Sequence, residues 1–240
     1  MEERNGITVI TPTCDRPIAF QRCNYYFNNQ LKSFPVQWIV IDSGINKIKP
    51  KNQNIYISIK CNQNKNKDIA KNYLSALDYI SFNIVVFMED DDWYANDYLK
   101  FVYDNFDDSD IVGCQRNKYY NVTENYYFKN GNFRHSSLCS TAISKKIALN
   151  EFKRHCEIAF KKSHKFIDLK LWRSKVNKKF IKSNNKVIGM KCLPGKKGLA
   201  GHRIREKYLK DNDLKTLYSW LPKEDADWYA TFSKNKMVKN

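Results

Sequence analysis

Short apolar runs alternate with longer amphipathic stretches along this chain, and the alternation predicts strand and helix in turn. Gly6-Ile7-Thr8-Val9-Ile10-Thr11 reads as a first strand, closed by a turn between Pro12 and Pro17. Residues 18–31 place Phe20, Tyr25, Phe27 and Leu31 for packing and read as a helix. Residues 37–41 predict a second strand, ending in Asp42-Ser43-Gly44, and residues 55–59 a third. Residues 67–79 carry Ile69, Tyr73, Leu74 and Leu77 at helical spacing, with Ile80 just beyond. A strand over 83–88, a helix over 96–105 and a strand over 109–114 follow. This order predicts an α/β domain with a mostly parallel central sheet flanked by helices.

The second half is less regular. The tyrosine-rich stretch 118–133 predicts a β-hairpin turning at Asn130-Gly131. A strand over 138–144 and helices over 147–162 and 168–177 come next. Residues 187–191 predict a late strand that enters the glycine-rich run 193–203. The tail from Arg205 holds Leu214, Leu217, Trp220 and Leu221, which predict a helix packing back. The expected organisation is a main domain over 1–204 and a charged helical tail over 205–240 on the same domain.

Composition narrows the class. With 240 residues, 42% hydrophobic and 14% aromatic, the chain reads as one globular domain. No run of about 18 apolar residues is present, so no stable membrane insertion is expected. The start shows no basic-then-apolar leader, and the seven cysteines form no C-x-x-C pair. That pattern predicts a reduced, cytoplasmic protein, in the host cytoplasm if the source is a phage. The net charge is +17, and residues 151–210 hold nineteen lysines and arginines against four acids. So local an excess points to a negatively charged partner.

The chemistry concentrates where the strand 83–88 runs into Glu89-Asp90-Asp91-Asp92, followed by Trp93-Tyr94. Four adjacent carboxylates repel one another unless a cation neutralises them. A hard divalent ion, Mg²⁺ or Mn²⁺, suits oxygen ligands and bridges carboxylates to phosphates. The bland alternative for this stretch is a solvated acidic turn capping the next helix. Its place at a strand's carboxyl end, where open α/β sheets bind ligands, favours the functional reading.

In this order the motifs resemble the GT-A-fold glycosyltransferases, in particular the family 2-like group, from about Ile7 to Arg203. Thr11-Pro12-Thr13 through Arg16 resembles the first nucleotide-binding loop. Asp42 stands where the family's aspartate contacts the nucleotide base. Ala70-Lys71-Asn72 resembles an Ala-Arg-Asn stretch, with Lys71 in the arginine position. Glu89-Asp90-Asp91 resembles the DXD motif in a Glu-Asp-Asp variant. The resemblance implies that Asp91 binds the metal, and that Glu89 sits near the ribose or binds through water. Residues 167–172 resemble the Glu-Asp-x-x-Leu-Trp signature, with Ile167 replacing its first acid and Asp168 as the catalytic base. It further implies that His202 lies on the metal or diphosphate, with Lys197 or Arg203 on phosphate oxygens.

The expected reaction is an inverting, metal-dependent transfer from a UDP-linked sugar to an acceptor hydroxyl. The basic excess directs the acceptor expectation to a hydroxymethylated or otherwise modified base in double-stranded DNA, as some phage-encoded glycosyltransferases of similar size use. Trp93, Lys178, Lys179 and Lys182 are the expected acceptor residues. Tyrosines 119, 120, 126 and 127 are candidates for stacking on an extruded base. The alternatives are a surface glycan or lipid acceptor, or a basic nucleic-acid-binding module without catalysis. A nucleotidyltransferase would need a glycine-rich loop after the first strand, and residues 12–16 contain no glycine.

Overall fold

β-branched and aromatic runs at the start of the chain leave no solvated face, and they form the buried centre of a sheet. β1 (Ile7–Thr13) is buried along its whole length and β2 (Val36–Asp42) almost so. They pair in parallel from Ile7↔Val36 to Thr13↔Asp42. The computed structural model describes residues 5–50, 55–61, 64–129, 133–164, 166–182, 185–196 and 207–234. After β1 comes α1 (Pro17–Asn28), opened by a proline at its first position. β3 (Ile55–Ser58) follows β2, and α2 (Lys65–Ala76) is capped by the Asn64 side chain, which accepts from the amides of Asn66 and Lys67. β4 (Ile84–Phe87) leads into the acidic turn and a two-residue β5 (Trp93–Tyr94).

The next elements are α3 (Tyr98–Asn105), β6 (Ile111–Gln115), β7 (Lys118–Asn121), β8 (Tyr126–Lys129) and β9 (Thr141–Ser144). One turn of helix, α4 (Lys145–Ile147), continues through a π-turn over Ala148–Phe152 into α5 (Lys153–Lys162). α6 (Ile167–Trp172), β10 (Lys178–Lys182), β11 (Val187–Lys191) and β12 (Leu209–Lys210) follow. α7 (Lys215–Trp220) and α8 (Lys223–Ala230) close the described chain.

The main sheet has the order β10-β6-β9-β4-β1-β2-β3. Only β9 runs against the rest, pairing antiparallel with both β4 and β6. The expected mostly parallel sheet is therefore present, with one reversed strand inside it between β6 and β4. Alternation along the strands divides the core between two faces. Ile7, Val9, Trp38, Val40 and Val86 pack with α1, α3 and the C-terminal helices. Ile10, Ile39, Ile41, Val85 and Phe87 pack with α2, α5 and α6.

A second sheet, β12-β8-β7-β11-β5, covers part of the first face. Leu217, Trp220, Leu221, Ala226 and Tyr229 of the C-terminal stretch are buried in that same core. Asp225 fixes their position: it pairs with Arg22 and accepts from the Trp93 indole at 2.6 Å. The Arg22 guanidinium also faces the Tyr25, Tyr26 and Trp228 rings at 4.5, 5.0 and 4.7 Å.

Two sequence expectations need correction. The hairpin turns over residues 122–125, with Asn125 in the left-handed region at φ 51°, while Asn130 and Gly131 lie outside the described residues. The helix expected over 168–177 stops at Trp172. Lys178–Lys182 then forms β10, because the open edge of β6 offers it a parallel ladder. Among the described residues no helix is long and apolar enough to cross a membrane.

Candidate active site

β1, β2 and β4 end at one edge of the sheet, in a register that sets Thr13 beside Asp42 and Phe87 beside Ile10. The Met88 amide still donates to Ile10 O at 3.1 Å, and then the chain leaves the sheet. Asp92 N donates back to Glu89 O at 3.4 Å, closing the turn that carries the four acids. The Tyr94 hydroxyl accepts from Glu89 N at 2.8 Å and holds the turn from below.

Two cations from distant segments meet this turn. Arg16, immediately before α1, lies 2.5 Å from Asp90 Oδ1 and 2.6 Å from Asp91 Oδ2. Thr13 Oγ1 donates to the second Asp90 oxygen at 2.8 Å. Lys191, at the end of β11, places Nζ 3.1 Å from Asp92 Oδ1 and 3.6 Å from Asp91 Oδ2. The Met190 amide donates to Asp92 Oδ1 at 3.0 Å.

Four carboxylates against Arg16 and Lys191 leave an excess of two negative charges when all are ionised. The titration directions express that deficit. Burial pushes the Asp90 carboxyl up to about 6, although Arg16 pulls the other way. Burial likewise raises Asp92 against the pull of Lys191, and lifts half-buried Glu89 well above the ordinary carboxyl range, with Asp92 adding to the rise. Burial works against the charge on Arg16 and Lys191, but their acid neighbours outweigh it and hold both as cations.

A divalent ion fits this arrangement. Ligand atoms of Glu89, Asp92 and Cys139 lie within 4.8 Å of one another. Asp92 Oδ2 is buried with no hydrogen-bond partner beyond the weak one the Cys139 thiol offers the carboxyl group. Asp91, the ligand expected from sequence, instead gives an oxygen to Arg16. The converging oxygens belong to the residues on either side of the Asp90-Asp91 pair.

Asp168 lies in the first turn of α6, where its Oδ1 accepts from its neighbour's amide, Leu169 N, at 2.7 Å. The cap position belongs to Phe166, so Asp168 is not the N-cap of this helix. Burial raises its carboxyl above the ordinary range, opposed by hydrogen bonding to Leu169 and by nearby His135. Its charge also reaches Glu89, so the expected base and the acidic turn share one region.

Beside them, beyond the ends of β1, β2 and β3, opens a cavity of about 720 Å³. Asp15, Gly44, Lys47, Lys60 and Lys196 are among its lining residues, and Ile45 stands 85% exposed there. Asp42 shapes this wall: its oxygens accept from Gly44 N at 2.8 Å, Ile48 N at 3.0 Å and the Tyr56 hydroxyl at 2.9 Å. Its carboxylate thus holds the loop. Asp15 Oδ1 accepts from Ile45 N at 2.7 Å and Asn46 N at 3.1 Å. Lys71 Nζ donates to the carbonyl of Lys60, a lining residue, at 3.3 Å. Lys196 Nζ lies 3.0 Å from Cys14 Sγ and 3.5 Å from Cys61 Sγ. Gly195, at φ +110°, lets the chain run against the Asp15–Arg16 backbone, where a Cβ would meet Asp15 O at 3.0 Å.

Several expected residues have other duties. Thr11 is fully buried and accepts from the Trp38 indole at 2.9 Å. Trp93 is 4% exposed, packs edge-on to Tyr26 and gives its N–H to Asp225, so it is a core residue without an acceptor-facing surface. Lys178, Lys179 and Lys182 do not form one patch. Lys178 and Lys179 begin β10 at the far end from the acids, where Lys179 binds Asp107 at 2.8 Å. Lys182 alone reaches the functional edge, opposite Gln115.

The hairpin tyrosines pack as well. Tyr119 stacks on Phe128 at 4.7 Å, the Tyr120 hydroxyl donates to Asp211 at 3.0 Å, and Tyr127 meets Trp220 edge-on. The Lys210 ammonium lies 4.5 Å from the Tyr126 ring centroid. Lys197, His202 and Arg203 lie outside the described residues.

Sequence reasoning passed over Lys191, Cys139 and Lys196. For Lys191 a signal existed, since a lysine closing the apolar run Val187-Ile188-Gly189-Met190 is a cation that must find a buried partner. Cys139 carried no local signal.

Residues 8–180 match the family model described as Glycosyl transferase family 2. No curated protein matches the chain. Among solved structures, S. aureus TarS 1-349 is similar with a TM-score of 0.50 and 13% identity, over 77% of this chain and 60% of that one. S. aureus TarS 1-349 in complex with UDP-GlcNAc is similar with a TM-score of 0.53 and 13% identity, over 94% of this chain and 71% of that one. The chain therefore spans less than two thirds of the first of these, and at such identity the likeness is one of fold.

Proposed function

The chain belongs to glycosyl transferase family 2, and from that premise we propose that it is a nucleotide-sugar-dependent glycosyltransferase that moves the sugar of a UDP-linked donor to an acceptor hydroxyl, with Asp168 as the base. The observation that carries this reading is the acidic turn at the carboxyl end of β4, met by Arg16 and Lys191 next to the cavity that Asp15 and Lys196 help to line. The complex of S. aureus TarS with UDP-GlcNAc supports a donor of that class.

In this reading the nucleoside occupies the cavity below Ile45, with Asp42 holding the loop that forms its wall. The diphosphate extends toward Arg16 and the acidic turn. Glu89 and Asp92 would hold a divalent ion, with Cys139 as a further donor, and such an ion supplies positive charge to a leaving diphosphate. Arg16 keeps Asp90 and Asp91 in place, and Lys191 does the same for Asp92. Asp168 takes the proton of the acceptor hydroxyl, whose oxygen bonds to the anomeric carbon as the bond to the diphosphate oxygen breaks. A single base on the acceptor side gives inversion. The raised basicity of a buried carboxylate favours this proton transfer.

For the acceptor we propose a hydroxymethylated or otherwise modified base in DNA, supported by the basic excess over residues 151–210. The test is release of UDP from a panel of UDP-sugars, each offered DNA containing hydroxymethylated bases, a glycan, a lipid and water, with and without chelator. Chelator-sensitive release that rises only with the modified DNA is the expected result. Release driven by glycan or lipid alone would overturn the acceptor, and release by Asp168→Asn at the wild-type rate would overturn the base.

A further inference from the structure

In the segments around Asp168, exposed aromatic rings accompany cations. β6 ends at Gln115, whose Nε2 donates to Phe133 O at 3.3 Å and ties that residue to the strand end. Arg116 follows in the left-handed region at φ 54°, with its guanidinium 5.0 Å from the Phe133 ring centroid. Across the ladder Gln115 faces Lys182, which is exposed. Exposed Arg134 comes next, and His135 lies within electrostatic reach of Asp168. Phe133 is 53% exposed, and Phe166, two residues before Asp168, is 55% exposed. Over residues 111–117, 133–137 and 166–182 the one acid is Asp168 itself.

We propose that this surface is the acceptor platform and that its ligand is DNA, with an unpaired or extruded base stacked on Phe133 and neighbouring phosphates held by Arg116 and Lys182. The proposal rests on Asp168 being the base of the transfer reaction. Two features together select this partner. A neutral glycan would use the rings and ignore the cations, whereas an anionic polymer without bases would use the cations and leave Phe133 idle. Nucleic acid uses both, because every base has a face to stack and every linkage a charge to neutralise. The left-handed backbone at Arg116 is the kind of local strain that binding sites retain.

The experiment measures binding rather than turnover. The full chain is titrated with a fluorescent single-stranded DNA oligonucleotide and, separately, with inorganic polyphosphate, across a range of salt. Phe133→Leu keeps apolar bulk and removes the ring. It is expected to weaken oligonucleotide binding on the order of tenfold, while polyphosphate binding and UDP binding stay as in wild type. Arg116→Ala and Lys182→Ala should weaken both polyanions, each lowering the log–log salt slope for the oligonucleotide by about 0.7, the worth of one single-strand phosphate contact. Polyphosphate binding as tight as the oligonucleotide, with Phe133→Leu changing neither, overturns the proposal. Failure here is separable from failure of the reaction assignment. A chain that releases UDP but binds no oligonucleotide sinks the platform alone, and one that binds it through Phe133 but never transfers sugar sinks the assignment of Asp168.

Discussion

Arg16 spans two neighbouring carboxylates, one guanidinium nitrogen 2.5 Å from Asp90 and the other 2.6 Å from Asp91. The planar fork makes this possible, since a lysine offers a single charged point. Removing the fork leaves two nearly buried acids facing each other. Arg16→Ala is therefore expected to destabilise the fold by about 3–5 kcal/mol, the usual cost of orphaning a buried ion-pair partner. Urea denaturation measures it, and a change below about 1 kcal/mol would show that the acids protonate at little cost.

The converging oxygens of Glu89 and Asp92 give a second expectation. Glu89→Gln and Asp92→Asn should each weaken Mn²⁺ binding by a factor on the order of 10–100, and Asp91→Asn by less, as Asp91 is engaged with Arg16. Isothermal titration calorimetry on the three variants ranks them. If Asp91→Asn alone abolishes binding, Arg16 must release that carboxylate when the ion enters.

The raised Asp168 carboxyl has opposite consequences for stability and for rate. Its folded-state value lies above the unfolded one, so the stability it contributes is present at low pH and is lost as pH rises through the folded value. Asp168→Asn should therefore be more stable than wild type at neutral pH. Turnover moves the other way, falling in wild type as pH drops below the raised value. It should be lower in the variant by a factor on the order of 10²–10⁴ at neutral pH. Thermal melts and pH–rate profiles on the same pair of proteins check both signs.

Gly113, in β6, lies directly under Trp172 at the end of the helix that carries Asp168. A Cβ there would sit 2.4 Å from Trp172 Cζ2 and 2.7 Å from Ser136 Cβ. Gly113→Ala is expected to cost about 1–3 kcal/mol through overpacking. It should also lower kcat more than it raises KM for the donor, because α6 must shift while the cavity on the other side of β1 does not. An unchanged kcat in a destabilised variant would show that Asp168 is held by its own turn of helix alone.

Much of this architecture was legible because local and global signals agree in the first half of the chain. β1, β2 and β4 are apolar runs buried on both faces, and the acids follow β4 without interruption. Thr11 and Trp93 misled because side-chain partners 27 and 132 residues away claim them. β10 was missed because Lys178-Lys179-Phe180-Ile181-Lys182 has no period of its own, and β6 makes it a strand. Lys191 became part of the site only when β11 paired between β7 and β5, which no local pattern announces. The hairpin turn settled at Asn125, whose amide donates to Ser233 at 2.8 Å in the C-terminal stretch.

The reversed strand β9 has a bearing on how the protein is made. It is wedged between β4 and β6 and comes after both in the chain. A ribosome therefore delivers β4, with its acidic turn, well before the strand that seals its flank. Until Thr141–Ser144 emerge, both neighbours present raw, apolar strand edges of the kind that recruit stray partners. Nascent chains stalled short of that point should lean on chaperones, while those stalled just past it should have covered the facing edges of β4 and β6.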